Sequence, residues 1–94
     1  MTLFDYICLY VDLDETIRLW TEHKHGYGLI SKYDLTKEDN IDDTCTVRDF
    51  FAKNHWLSNY SEFKVVGCND HAVPKTYHDA LNILIEVPEN FTIL

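Results

Sequence analysis

Ninety-four residues with a mass of 11.1 kDa leave room for one small domain and exclude a second core. Apolar residues make up 46% of the chain and charged residues 26%, which excludes a disordered or low-complexity polymer. Sixteen Asp and Glu against eight Lys and Arg give a formal net charge of -8. That is the reverse of the balance a nucleic-acid-binding domain carries, so direct nucleic-acid binding is disfavoured.

The apolar stretches are too short to span a membrane. Asp5 stands where a signal peptide would place positive charge, so a cytoplasmic location is expected. The three cysteines, Cys8, Cys45 and Cys68, are an odd number without CxxC spacing. They read as free thiols in a reducing compartment.

Residues 3–11 are predicted to be helical. Thr2 is the cap, with Asp5 three residues on, and Leu3, Phe4, Ile7, Cys8 and Val11 form one apolar stripe. An acidic turn at Asp12, Asp14 and Glu15 follows. Residues 16–22 alternate as a strand, with Ile17, Leu19 and Thr21 on one face. Lys24-His25-Gly26 reads as a hairpin bend, and residues 27–33 as the returning strand. Residues 34–44 carry five carboxylates, one lysine and two aliphatic residues, so a solvated loop with little core contact is expected.

Thr46 repeats the capping pattern before Val47, Phe50 and Phe51, which predicts a short helix from 47 to 54. Residues 54–60 form a turn-like stretch containing His55 and Trp56. Residues 62–68 are predicted to be the third strand. Residues 80–87 are the fourth and most strongly patterned, and Leu84 adds apolar area opposite Leu81, Ile83 and Ile85, so this strand should be central. Pro88 ends it. The expected fold is α+β: a single small domain over residues 1–94, with a mostly antiparallel four-stranded sheet and two short helices in the order α-β-β-α-β-β. The expected core is Leu3, Phe4, Ile7, Val11, Ile17, Leu19, Leu29, Phe50, Phe51, Val65, Leu81, Ile83 and Ile85.

Three groupings bear on chemistry. His23 and His25 at i and i+2 are a two-ligand fragment with no further ligands nearby in sequence. Cys68, His71, His78 and Asp79 contain the parts of a cysteine nucleophile or a zinc site, yet so small a domain has little room for a cleft. Gly26-x-Gly28 lies in a hairpin and precedes no helix, so it is not a dinucleotide fingerprint. No enzyme, metal or cofactor is expected. A positive patch around Arg18, Lys24 and Lys32 is the one route left to nucleic acid.

Charge distribution says more. Residues 1–15 hold four carboxylates and no Lys or Arg, and residues 34–49 hold six against Lys37 and Arg48. Such loops serve solubility, or they compete with phosphates for a basic cleft. The latter reading makes Asp34, Glu38, Asp39, Asp42 and Asp43 a partner-binding surface, with Trp20 or Trp56 as an apolar anchor.

The helix from Thr2 to Val11 with Glu15-Thr16-Ile17-Arg18-Leu19-Trp20, and the closing stretch from Tyr77 to Glu86, resemble the small acidic proteins of phages and mobile elements of Gram-positive bacteria. Some of these are anti-CRISPR proteins that block the DNA-binding cleft of an effector nuclease. The resemblance implies a stoichiometric inhibitor, a DNA mimic whose partner is a basic protein surface such as that of a CRISPR effector nuclease. It carries over no individual site residue. The alternatives are a self-associating structural module, as a homodimer, and a small Cys/His metal-binding or hydrolytic domain using Cys68, His71 and His78.

Overall fold

The computed structural model describes residues 1–23, 26–68 and 73–91. The first helix, α1, spans Leu3–Tyr10, and Thr2 caps it by accepting the Asp5 backbone N–H on its hydroxyl at 3.2 Å. Strand β1 (Thr16–His23) pairs antiparallel with β2 (Gly26–Leu29) across the expected bend, whose Lys24 and His25 lie outside the described residues. Gly26 sits at φ +139, a conformation that side-chain-bearing residues avoid, which is why the bend takes glycine there.

The returning strand is shorter than predicted. After Ile30 donates its N–H to the Leu19 carbonyl at 3.1 Å, the chain leaves the sheet. It then builds a separate ribbon from β3 (Lys32–Tyr33) and β4 (Ile41–Asp42). Strand β5 (Thr44–Thr46) returns to pair antiparallel with the start of β1. Helix α2 is Val47–Phe51, capped by the Thr46 hydroxyl on the Asp49 N–H at 3.2 Å. It ends earlier than predicted, where Lys53 turns left-handed at φ 60. A 3-10 helix at Trp56–Tyr60 occupies the turn-like stretch. Strand β6 (Lys64–Cys68), a second 3-10 turn (Lys75–Tyr77) and strand β7 (Leu81–Glu86) follow among the described residues.

The fold is α+β, as expected, but the sheet is mixed and five-stranded. Its order is β2-β1-β7-β6, with β5 also on β1. β6 and β7 pair antiparallel, with Val66 bulged out between Val65 and Gly67. β1 and β7 run parallel at the centre, Leu19 opposite Ile83. The two antiparallel pairs, β2–β1 and β7–β6, meet through β1 and β7 and so place both of these strands inside the sheet. Both carry large side chains on both faces, and a central position buries both.

On one face Leu3, Ile7, Ile17, Leu19, Val47, Phe50, Leu57, Tyr60, Ile83 and Ile85 make the main core beneath the helices. The sequence reading names most of these; Phe4, at 45% exposure, is a correction, because it lies at the rim against Phe51. Val11, Phe51, Val65 and Leu81 pack at the margin of the same cluster. On the other face Trp20, Val73 and Leu84 form a second small cluster, with Leu29 and Tyr77 against it.

Candidate functional site

The acidic segment is not the loosely attached loop expected from its composition. Asp34 receives the Thr36 backbone N–H at 2.9 Å and the Thr36 hydroxyl at 2.7 Å, and these bonds hold its carboxyl below the ordinary range. Asp39 receives the Ile41 N–H at 3.2 Å, and Asn40 takes the left-handed conformation at φ 58 that Asn tolerates better than most residues. The turn closes with Asp34 N–H on the Asn40 carbonyl at 3.2 Å.

Asp42 fastens this ribbon to the body. Its Oδ1 receives Lys37 Nζ and lies against His55 Nε2, each at 2.7 Å, and its Oδ2 receives the Trp56 indole N–H at 2.7 Å. Burial pushes the Asp42 carboxyl up, but the bonds from Lys37, His55 and Trp56 outweigh burial and leave it below the ordinary carboxylate value. The bond to Asp42 raises Lys37 in turn. Lys32, opposite Asp42 in the ribbon, places its ammonium 5.1 Å from the centre of the Trp56 ring.

Asp43 turns the other way, into the protein, where it is 9% exposed. Its Oδ2 receives Arg18 Nε at 3.1 Å. The same guanidinium donates to Asp79 Oδ1 at 2.7 Å and to the Tyr77 carbonyl at 2.9 Å, and it lies 5.1 Å from the Tyr77 ring centre. Burial works against its charge, yet the bonds and charges of Asp79 and Asp43 leave Arg18 raised above its ordinary value. Asp79 is lowered by the bond from Arg18. Next along the same face, the Trp20 indole N–H donates to Asn82 Oδ1 at 2.9 Å, and Asn82 Nδ2 donates to the carbonyls of Tyr77 and Ala80.

Three expectations are therefore corrected. Trp20 is buried, 7% exposed, and Trp56 is half-buried against Asp42, so neither stands out as an apolar anchor. Asp42 and Asp43 are engaged internally, while Glu38 and Asp39 are exposed and Asp34 half-exposed. Arg18 belongs to a buried ion network and contributes nothing to a positive surface patch.

The ribbon instead exposes apolar side chains that the sequence reading did not single out. Lys32 and Asp42 share the face turned to Trp56, so the cross-strand pair Tyr33 and Ile41 takes the opposite face. Tyr33 is 73% exposed, Ile41 43%, and Leu35 in the turn 80%. The available signal was their placement in so acidic a run.

His25 and His71 lie outside the described residues, and with them the His23–His25 pair and the Cys68–His71–His78 grouping. Cys68 Sγ donates to the Asn82 carbonyl. Among the described residues no group of three or more His, Cys, Asp or Glu is arranged to hold a metal ion, and no helix is long and apolar enough to cross a membrane. Burial, then the charges of Asp49 and Asp42, push the Cys45 thiol up to about 12, which silences it as a nucleophile. Comparisons with protein families, with characterised proteins and with solved structures find no match to this chain.

Proposed function

We propose that this protein is an acidic interaction module that binds a basic protein surface, and that the β3–β4 ribbon is its contact surface. The reading rests on one observation: Tyr33, Leu35 and Ile41 stand exposed on a hydrogen-bonded ribbon that also carries Asp34, Glu38 and Asp39. Exposed aromatic and aliphatic side chains supply contact energy, and the surrounding carboxylates steer a cationic partner. The turn bonds of Asp34 and Asp39 and the Asp42 attachment fix the ribbon's shape beforehand, which lowers the ordering cost of binding.

The partner class that best fits is a nucleic-acid-binding protein with a positive cleft, and the proposed activity is stoichiometric inhibition, as in an anti-CRISPR protein. Carboxylates on a fixed ribbon compete there with phosphates. The test is competition with DNA for a purified CRISPR effector nuclease, using the native chain and two variants. Glu38→Lys should slow association and flatten its salt dependence. Tyr33→Ala should cost about 1–3 kcal/mol of affinity through faster dissociation. Effector nucleases that retain full DNA binding in the presence of excess protein would refute the inhibitor reading. Two variants that bind a partner as the native chain does would refute the ribbon as the contact surface.

A further inference from the structure

His55 lies where the acidic ribbon meets the 3-10 helix Trp56–Tyr60, and both of its ring nitrogens are used. Nε2 is 2.7 Å from Asp42 Oδ1, while Nδ1 accepts the Leu57 backbone N–H at 3.2 Å and so caps the 3-10 helix. A ring nitrogen that accepts an N–H carries no proton of its own. The neutral imidazole therefore holds its proton on Nε2 and donates it to Asp42. The ring is 16% exposed and lies 5.7 Å from the Trp56 ring centre. Of the charged groups nearby, Asp42 from β4 touches the ring, Lys37 from the turn shares Asp42 Oδ1 with it, and Lys32 from β3 lies over the neighbouring Trp56 ring.

We propose that His55 is a proton-responsive joint between the ribbon and the 3-10 helix. In the neutral ring one nitrogen serves each element. When the ring takes a proton from solvent it gains that proton on Nδ1, and the Leu57 N–H then faces another donor. The cap is lost. Across the ring the imidazolium gains a charge-assisted bond to the Asp42 carboxylate. One proton therefore strengthens the ribbon's attachment and loosens the helix that supplies Leu57 and Tyr60 to the core. This device belongs to the fold and holds whether or not the ribbon binds a partner.

Nitrogen-15 NMR on the intact chain, titrated from about pH 8 to about pH 5, tests it. At the upper end the ring proton should reside on Nε2. Through the ring's own titration, protection of the Leu57 amide against hydrogen exchange should fall roughly five- to tenfold after correction for intrinsic exchange. The Trp56 indole N–H should stay hydrogen-bonded throughout. A proton on Nδ1 at the upper end, or Leu57 protection that does not change as the ring titrates, would overturn the proposal. His55→Gln removes the titrating group, and pH dependence at Leu57 that persists in it would also overturn the proposal. Should that variant fail to fold, the native titration decides alone.

Discussion

The Arg18–Asp43 pair offers the sharpest test of how the two halves of the chain are joined. Arg18 lies on β1, Asp43 follows the acidic ribbon, and Asp79 precedes β7, so one guanidinium ties together three distant segments. The side chains of Arg18 and Asp43 are 6% and 12% exposed, whereas that of Asp79 is 65% exposed. Removing one partner of a buried pair costs about 3–5 kcal/mol, because the other charge is left uncompensated. In Asp43→Ala the guanidinium keeps Asp79 and the Tyr77 carbonyl, so the loss should fall near the lower bound, about 3 kcal/mol. Arg18→Met strands Asp43 in a largely dry position and should cost as much or more. Replacing both, Arg18→Met with Asp43→Leu, removes the charges together and should recover most of that loss. Urea denaturation followed by circular dichroism gives the three values, each a large fraction of the roughly 5–15 kcal/mol such a domain possesses. A double variant whose loss equals the sum of the single losses to within about 0.5 kcal/mol would refute the buried-pair reasoning.

Two predictions rest on other parts of the fold. Ile83 is fully buried at the centre of β7, opposite Leu19 and Cys68. Ile83→Ala should cost about 2–5 kcal/mol, and unchanged thermal unfolding would contradict its central position. The carboxyls of Asp42 and Asp79 lie below their ordinary value of 3.8 in the folded protein, so between the two values the unfolded chain binds more protons. Their stabilisation is therefore present above about pH 3.8 and is lost as the pH falls through the lowered folded values. Asp79 contributes the lesser part, being well solvated. The melting temperature should fall below that point with a shallower slope in Asp42→Asn than in the native chain; equal slopes would show that Asp42 plays no part.

The position of the proposed contact surface follows from how the acidic residues divide. Asp42 and Asp43 are adjacent in sequence and successive side chains on extended backbone point opposite ways. Asp42 meets the Lys37–His55–Trp56 cluster, and Asp43 meets Arg18. Once these two carboxylates are engaged inside, Asp34, Glu38 and Asp39 remain at the tip of the ribbon beside Tyr33, Leu35 and Ile41.

Local chemistry alone determined a good part of this protein. The Thr2 and Thr46 caps, the Leu3–Ile7 stripe, the glycine bend at Gly26 and the alternation of residues 81–86 depend on neighbours within a turn or a strand, and each was legible in the chain. What lies across the fold was not. The alternation of residues 16–22 marks Ile17 and Leu19 as core, but it makes Arg18 and Trp20 look solvent-facing. They are buried because residues 73–80 fold over that face and bring the Tyr77 carbonyl and Asp79 to Arg18, while Asn82 on the neighbouring β7 meets Trp20. The partners are about sixty residues away in sequence, Asp79 at 61 and Asn82 at 62. The parallel pairing of β1 with β7 and the inward turn of Asp43 have the same origin. A charged side chain reads as exposed until a tertiary contact supplies its counter-charge, and only the folded chain holds the two together.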